Sequence, residues 1–386
     1  MNTHETFQVL PNGGVTSPKG FRANGLHCGL KRSGKPDLSL IYSNTPCAAA
    51  CVYTKNSIKA APLLVTKEHL RHNRAQAIIT NSGNANCFTG EFGILYARKT
   101  AETLAPLLKI KTTDVVVSST GIIGKPLPVD LITAACPALV NGLTIDGGKR
   151  AAEGIMTTDT FTKEISVRFT LHGKPVTIGA CAKGSGMIAP DMATMLAYVT
   201  TDIAISTGLL KKALKTVVGE TFNCISVDGC MSTNDMLVVL ANGQAGNKLI
   251  AAEGSAYKAF LAALHFVCQD LAKKIVLDGE GATKFIEIFV QGAKTPAQAK
   301  KIALAVANSS LVKTAAFGCN PNWGRVAAAV GSLGLPISEK DLKIDFSSFA
   351  EKEIKITVSL NLGKAVAKIY TCDFSLEYVQ INGRYN

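Results

Sequence analysis

The chain lacks any Cys-x-x-Cys pair, although it carries eleven cysteines. Zinc-ribbon and thioredoxin-type readings therefore fall away. An odd cysteine count does not suit a disulfide framework, and most of these thiols lie among apolar neighbours, as Cys47 and Cys224 do. They read as small core residues of a protein in a reducing, cytoplasmic setting. Long apolar runs are also missing. The best stretch, Val326 to Ile337, is short and interrupted by glycine, so no membrane span is expected. The first residues, Met1 to Thr6, show no basic region followed by an apolar stretch, and no secretory signal is expected. Charged residues are scarce at 18%. There is no dense Lys/Arg run, although the formal net charge is +13. The six histidines form one ligand-spaced pair, His69 and His72, which reads as the solvated face of an Arg-rich helix rather than a metal site.

The scattered positive charge leaves three readings: a basic surface with no special task, attraction of acidic metabolites, or nucleic-acid binding. Against the last stands the want of an aromatic-and-basic surface signature. What is plentiful is apolar material, 47% of the chain, and glycine, 34 of 386 residues. That composition suits a compact, loop-rich enzyme of two domains, or of one large domain with a lobe.

Periodicity places short strands at 38–42 and 48–54, and another at 75–80 that runs into the polar loop Asn81–Asn86. A helix follows over 92–108, a strand over 114–118 entering Ser119–Gly124, and a helix over 129–138. Residues 164–170 and 176–180 alternate around His172–Gly173 as a hairpin. An apolar strand is expected at 196–200, amphipathic helices at 209–222 and 255–275, a strand at 285–290 and a helix at 296–308. Residues 353–360 and 365–370 are expected to pair as a hairpin across Asn361–Gly363. The mixture predicts α/β or α+β layers rather than a regular βαβ array.

Five segments carry candidate chemistry. In Lys183–Asp202, glycines and Pro190 shape a tight loop that opens into a buried strand. If the bond before Thr194 were cut, its hydroxyl and its own α-amine would lie together, and the amine would serve as general base. On residue type alone the reading of Thr194 as an ordinary strand threonine beside Met192 and Met195 prevails. Ser118–Gly124 ends a strand in small polar residues, which is the equipment of an oxyanion hole or simply of a tight turn. It is no phosphate loop, because Pro126 follows Lys125. Asn81–Asn86 and Asn320–Arg325 are each a binding loop or a structural turn, the latter with Trp323 as a packing anchor. In Asp278-Gly-Glu-Gly281 two carboxylates without a third ligand are poor metal equipment, whereas Glu280 suits an ammonium group.

Read together, these segments resemble the ornithine acetyltransferase family, the bifunctional glutamate N-acetyltransferases. The strings that carry the resemblance run in order along nearly the whole chain: Pro18–Arg22, Asn81–Asn86, Ser119–Gly124, Met156–Thr160, Lys183–Pro190, Met192–Leu196, Val227–Gly229, Ser232–Asp235 and Pro321–Arg325. The resemblance implies an α/β fold of α+β layers, an ArgJ/DmpA-like sandwich of sheets flanked by helices, with a smaller C-terminal α+β lobe over about 283–386. It implies self-cleavage between Ala193 and Thr194 into an α chain (1–193) and a β chain (194–386), usually as α2β2. Acetyl would pass from N-acetylornithine to Thr194 and then to glutamate. Thr120 and Gly121 would form the oxyanion hole, and Thr160, Lys183, Thr194, Glu280 and Asn382 would bind substrate. No metal and no bound organic cofactor are expected, although many members accept acetyl-CoA as donor. Neither nucleic acid nor membrane is an expected partner. Alternatives are a related self-cleaving aminopeptidase or amide hydrolase, with water as acceptor, and a non-catalytic member. Three departures from the family pattern stand out: Cys230 and Asn320 where Asp is usual, and Ile381-Asn-Gly-Arg-Tyr-Asn386 where the family reads Ile-Asn-Ala-x-Tyr-x-Ser/Thr.

Overall fold

The computed structural model describes residues 7–189 and 195–384. They form two bodies, one from 7–184, 195–223 and 231–271, the other from 185–189, 224–230 and 272–384.

The first body opens with β1 (Gln8–Val9), β2 (Phe21–Leu26) and the long β3 (Leu38–Tyr53). The two short strands expected within 38–54 are one strand. Its ladder to β4 (Arg74–Asn84) shifts register between Tyr42 and Cys47, and Pro46 falls in that gap. Proline has no N–H to give a ladder, so an irregular stretch is where a strand tolerates it. Between them lies α1 (Ala61–His69), with Pro62 in its first turn. Here the expected solvated histidine face is half wrong. His72 is exposed, but His69 is buried, with Nδ1 2.8 Å from the Val115 carbonyl oxygen.

β4 and β5 (Val115–Ile122) run parallel, joined through α2 (Gly90–Leu108), because a parallel pair needs a long crossover. After α3 (Val129–Asn141) and α4 (Gly148–Ile155) come β6 (Lys163–Leu171) and β7 (Lys174–Lys183). The expected hairpin joins these two. His172 and Gly173 hold φ of 49° and 75°, the left-handed pair that matches strand twist. β8 (Leu196–Thr201), α5 (Thr207–Glu220), β9 (Met236–Ala241) and α6 (Ser255–Leu277) follow; α6 continues past residue 271 into the second body.

The sheet order is β1-β6-β7-β8-β9-β3-β4-β5, with β2 against β3. Alternate residues serve opposite faces. Leu38, Leu40, Ile79, Val115 and Val117 pack under α2 and α3, whereas Ile41, Val116, Tyr198, Met236 and Val238 face the other way with Phe21 and Ile155. β8 and β9 are buried at every position, and so they read as continuous apolar runs.

The second body is built on β10 (Phe285–Ala293), α7 (Pro296–Ala307), α8 (Ser310–Phe317), α9 (Trp323–Gly331), β11 (Leu342–Phe346), β12 (Glu353–Leu360), β13 (Ala365–Cys372) and α10 (Leu376–Arg384). Its strand order is β11-β12-β10-β13. The hairpin expected over 353–370 is therefore not formed. β10 lies between the two strands, parallel to β12 and antiparallel to β13. The connection crosses the end of β10, where the Leu362 N–H donates to the Gly292 carbonyl at 3.0 Å. Inserting β10 gives Ile286, Ile288 and Val290 apolar neighbours on both sides and packs them under Ala299, Ile302 and Val306 of α7. Pro321–Arg325 is a helix start: the Asn322 side chain accepts from the Arg325 N–H at 3.2 Å. Trp323 is 68% exposed, so it is no packing anchor.

Both sheets mix parallel and antiparallel strands and carry helices against them, as the α/β expectation holds. Among the described residues no helix is long and apolar enough to cross a membrane.

Candidate functional site

In the first body the site begins where the parallel strands β4 and β5 end together. Ser82 pairs with Thr120 and Gly83 with Gly121. Carboxyl ends of parallel strands are where α/β sheets present loops to ligands. Gly121 holds φ of +132°, and a Cβ there would lie 2.3 Å from the Gly83 carbonyl carbon. Only glycine permits that approach. Two buried amides lock the turns in place. Asn81 donates to the Asn84 carbonyl at 2.9 Å and accepts from Ser119 Oγ at 2.6 Å. Asn234, just before β9, donates to the carbonyls of Ala85 at 2.7 Å and Ser119 at 2.8 Å. The first residues of the expected loop Asn81–Asn86 thus belong to β4.

β7 ends at Lys183, whose Nζ donates to Thr120 Oγ1 at 3.4 Å. The next residue turns onto Asp159. The Gly184 N–H and Lys163 Nζ both donate to Asp159 Oδ1, at 2.7 and 2.6 Å, and the Thr157 N–H donates to Oδ2 at 2.9 Å. Burial pushes the Asp159 carboxyl up, but the ammonium groups of Lys163 and Lys183 and these donors outweigh it, leaving it near 2. A permanently ionised carboxylate therefore pins the turn that carries Thr160, which is exposed. Lys31 braces the same turn: its Nζ donates to the carbonyls of Pro36 at 2.7 Å and Met156 at 2.8 Å. Burial lowers its ammonium to about 8, against the pull of Asp37 and Asp159. The corner is cationic, and a carboxylate ligand suits it.

A residue that the sequence reading quoted without a role completes this half. Asp235 precedes β9 and is 2% exposed, and its Oδ2 has no hydrogen-bond partner in the structure. Burial raises its carboxyl well above the ordinary range. The Ser232 and Thr54 hydroxyls, Lys183 and the Met195 N–H offset only part of that. Nothing in residue type distinguishes such an aspartate, because only burial does.

In the second body, Ser185 Oγ donates to the Asp278 carbonyl at 2.5 Å, and the Glu280 N–H donates to the Ser185 carbonyl at 3.1 Å. A Cβ at Gly186 would sit 2.2 Å from Glu280 Oε2, so this glycine makes room for the carboxylate. Asn382 on α10 donates to the same Oε2 at 2.8 Å and to the Tyr378 carbonyl at 3.0 Å. Cys230 is exposed at the turn that Asp228 organises: Asp228 accepts from the N–H groups of Met187, Ile188 and Cys230 at 2.6, 2.9 and 3.0 Å. Burial and then the Asp228 charge raise the Cys230 thiol. Among the described residues no group of three His, Cys, Asp or Glu side chains could hold a metal ion.

Thr120, Gly121 and Lys183 thus come together in one body, and Glu280 and Asn382 in the other. Ala193 and Thr194 lie outside the described residues.

Comparison with known proteins matches residues 22–386 to the model of the ArgJ family. The arginine biosynthesis bifunctional protein ArgJ of Symbiobacterium thermophilum is 46% identical over 395 residues, covering 97% of this chain and 98% of that protein. The protein of the same name from Caldanaerobacter subterraneus subsp. tengcongensis is 45% identical over 398 residues, with 97% and 98% covered. Among solved structures, the ornithine acetyltransferase of Mycobacterium tuberculosis complexed with ornithine is 41% identical, covering 49% of this chain and 100% of that chain, with a TM-score of 0.46.

Proposed function

Since this chain belongs to the ArgJ family, we propose that it is an acetyltransferase of arginine biosynthesis that carries acetyl from N-acetylornithine to glutamate on Thr194. The enzyme first cuts itself between Ala193 and Thr194. The Thr194 hydroxyl attacks the Ala193 carbonyl, the C–N bond breaks, and water hydrolyses the resulting ester. Chains 1–193 and 194–386 remain associated, as α2β2. The freed amine then acts as base for its own hydroxyl, which attacks the acetyl carbonyl of N-acetylornithine. Ornithine leaves, glutamate enters, and its amine takes the acetyl group. The chemistry needs neither metal nor bound organic cofactor; acetyl-CoA would enter as an alternative donor. Eleven cysteines, none of them in a disulfide, fit a reducing compartment such as the cytoplasm.

One observation carries the reading: the Lys183 ammonium 3.4 Å from the Thr120 hydroxyl, beside the glycine-only position 121. The Thr120 hydroxyl and the Gly121 N–H are the donors that take up oxyanion charge, which appears only in the tetrahedral intermediate. Lys183 meets the substrate α-carboxylate and Thr160 borders it. Glu280, oriented by Asn382, meets the side-chain ammonium of ornithine.

The test is a denaturing gel of purified protein beside an acetyl-transfer assay. Wild type runs as two bands and acetylates glutamate. Thr194→Ala runs as one full-length band without turnover. A Thr194→Ala protein that still splits and transfers acetyl would refute the reading, and release of free acetate in place of N-acetylglutamate would refute the choice of acceptor.

A further inference from the structure

We propose that Lys313 is a positioning residue for recognition of the substrate ammonium, setting the Glu280 carboxylate through the stacked rings of Phe374 and Tyr378 and the amide of Asn382. The inference rests on the reading of Glu280 as the group that meets the ornithine side chain.

Lys313 lies on α8 and is 1% exposed. Its Nζ donates to Thr371 Oγ1 at 2.9 Å and to the Cys372 carbonyl, with Cys372 Sγ at 3.8 Å. An ammonium has three N–H groups and no acceptor, and these three contacts match it. All three are neutral groups, although taking an ammonium out of water is costly. Burial lowers the Lys313 ammonium, with Cys372, Asp373 and Asp228 pulling the other way. Such a cation calls for a cause, and the next contact supplies one. Nζ stands 4.5 Å from the centroid of the Phe374 ring, where a desolvated cation is held by the π face. The Phe374 N–H donates back to the Lys313 carbonyl at 3.3 Å. Lys313 therefore grips the chain leaving β13 by both its side chain and its backbone.

From Phe374 the contacts run unbroken to Glu280. The Phe374 ring stacks on Tyr378, with centroids 4.5 Å apart and 19° between planes. Tyr378 and Asn382, four residues apart on α10, share a helix face. The Asn382 amide donates both to the Tyr378 carbonyl at 3.0 Å and to Glu280 Oε2 at 2.8 Å. The turn that carries Glu280 is fastened to the same segment. Asp373 accepts from the N–H groups of Thr283 and Lys284, each at 2.8 Å, and Ser375 Oγ donates to the Gly281 carbonyl at 2.6 Å. Glu280 is 7% exposed, so a small rotation of α10 moves its carboxylate against a packed wall. A buried cation under the first ring fixes the tilt of the whole column.

The experiment compares two acetyl donors with glutamate as acceptor: N-acetylornithine, and N-acetylnorvaline, which lacks the side-chain ammonium. Phe374→Leu keeps the apolar bulk and removes the ring. It should raise KM for N-acetylornithine about tenfold, the weight of one weakened charge-assisted hydrogen bond, with kcat kept and N-acetylnorvaline unaffected. Lys313→Met should narrow the preference between the donors in the same way, at a lower Tm. Tyr378→Phe retains the stack and the carbonyl and should behave as wild type. Equal losses with both donors in Phe374→Leu assign the column to stability alone and overturn the proposal, as does a wild-type preference in that variant. A loss in Tyr378→Phe as large as in Phe374→Leu overturns it too, because the hydroxyl and not the stack would then carry the effect. Should Lys313→Met fail to fold, Phe374→Leu decides. Glu280→Gln, run in parallel, separates the two claims: an unchanged donor preference there refutes the reading of Glu280, whatever the column does.

Discussion

At the scale of single residues, two positions carry sharp expectations. On the proposed reading, Thr120→Val removes one of two oxyanion donors while nearly keeping volume. The expected loss is about 10²–10³ in kcat, with KM little changed, because the donor acts on charge absent from bound substrate. Steady-state kinetics with N-acetylornithine check it, and an equal loss in kcat and rise in KM would assign the hydroxyl to binding. Gly186→Ala acts differently. Its new methyl meets the far end of the Glu280 side chain, 2.2 Å away, and a flexible carboxylate gives way before a backbone does. The variant should therefore fold with an unaltered Tm and raise KM for N-acetylornithine while leaving KM for glutamate near its wild-type value.

At the scale of elements, the β6–β7 hairpin is held at its base by Asp159 and Lys163, both side chains fully buried and 2.6 Å apart. Removing one partner of a buried pair costs more than the pair contributes, because the other charge stays behind. Asp159→Asn should lose about 3–5 kcal/mol in denaturant unfolding. The sign of the pH effect follows from the lowered carboxyl. Its folded value near 2 lies below the ordinary 3.8, so the stabilisation is complete above about pH 4 and disappears as pH falls through 2. Acid unfolding of wild type should steepen in that window, and Asp159→Asn should flatten it. The same hairpin ends at Lys183, beside Thr120, so hairpin and candidate corner stand or fall together.

At the scale of the whole molecule, the formal charge of +13 gains a purpose beside an acidic acceptor. A cationic surface raises the local concentration of net-anionic glutamate, and salt screens it over a Debye length of about 8 Å at physiological ionic strength. The KM for glutamate should rise from low to high ionic strength, more than the KM for N-acetylornithine. Equal salt dependence of the two would leave the charge without a part in acceptor capture.

The sequence by itself determined the periodic elements and the local chemistry. The strands of 75–80 and 196–200, the hairpin about His172–Gly173 and the helices from 92 and 296 are each specified by neighbours a few residues apart, through alternation, turn residues and proline in a first turn. The loops that carry Thr120, Gly121 and Glu280 stood out as candidates through their glycines and small polar residues, whereas Lys183 was singled out only by the family resemblance. What is settled by contact between distant segments could not be read that way. Only the tertiary structure put β10 between β12 and β13, bent 38–53 into one strand across Pro46, and buried His69. Only the tertiary structure, too, buried Asp235 and raised its carboxyl, because a carboxyl is made unusual by the water that surrounding chain removes from it, and no property of the residue or its neighbours in sequence records how much that will be.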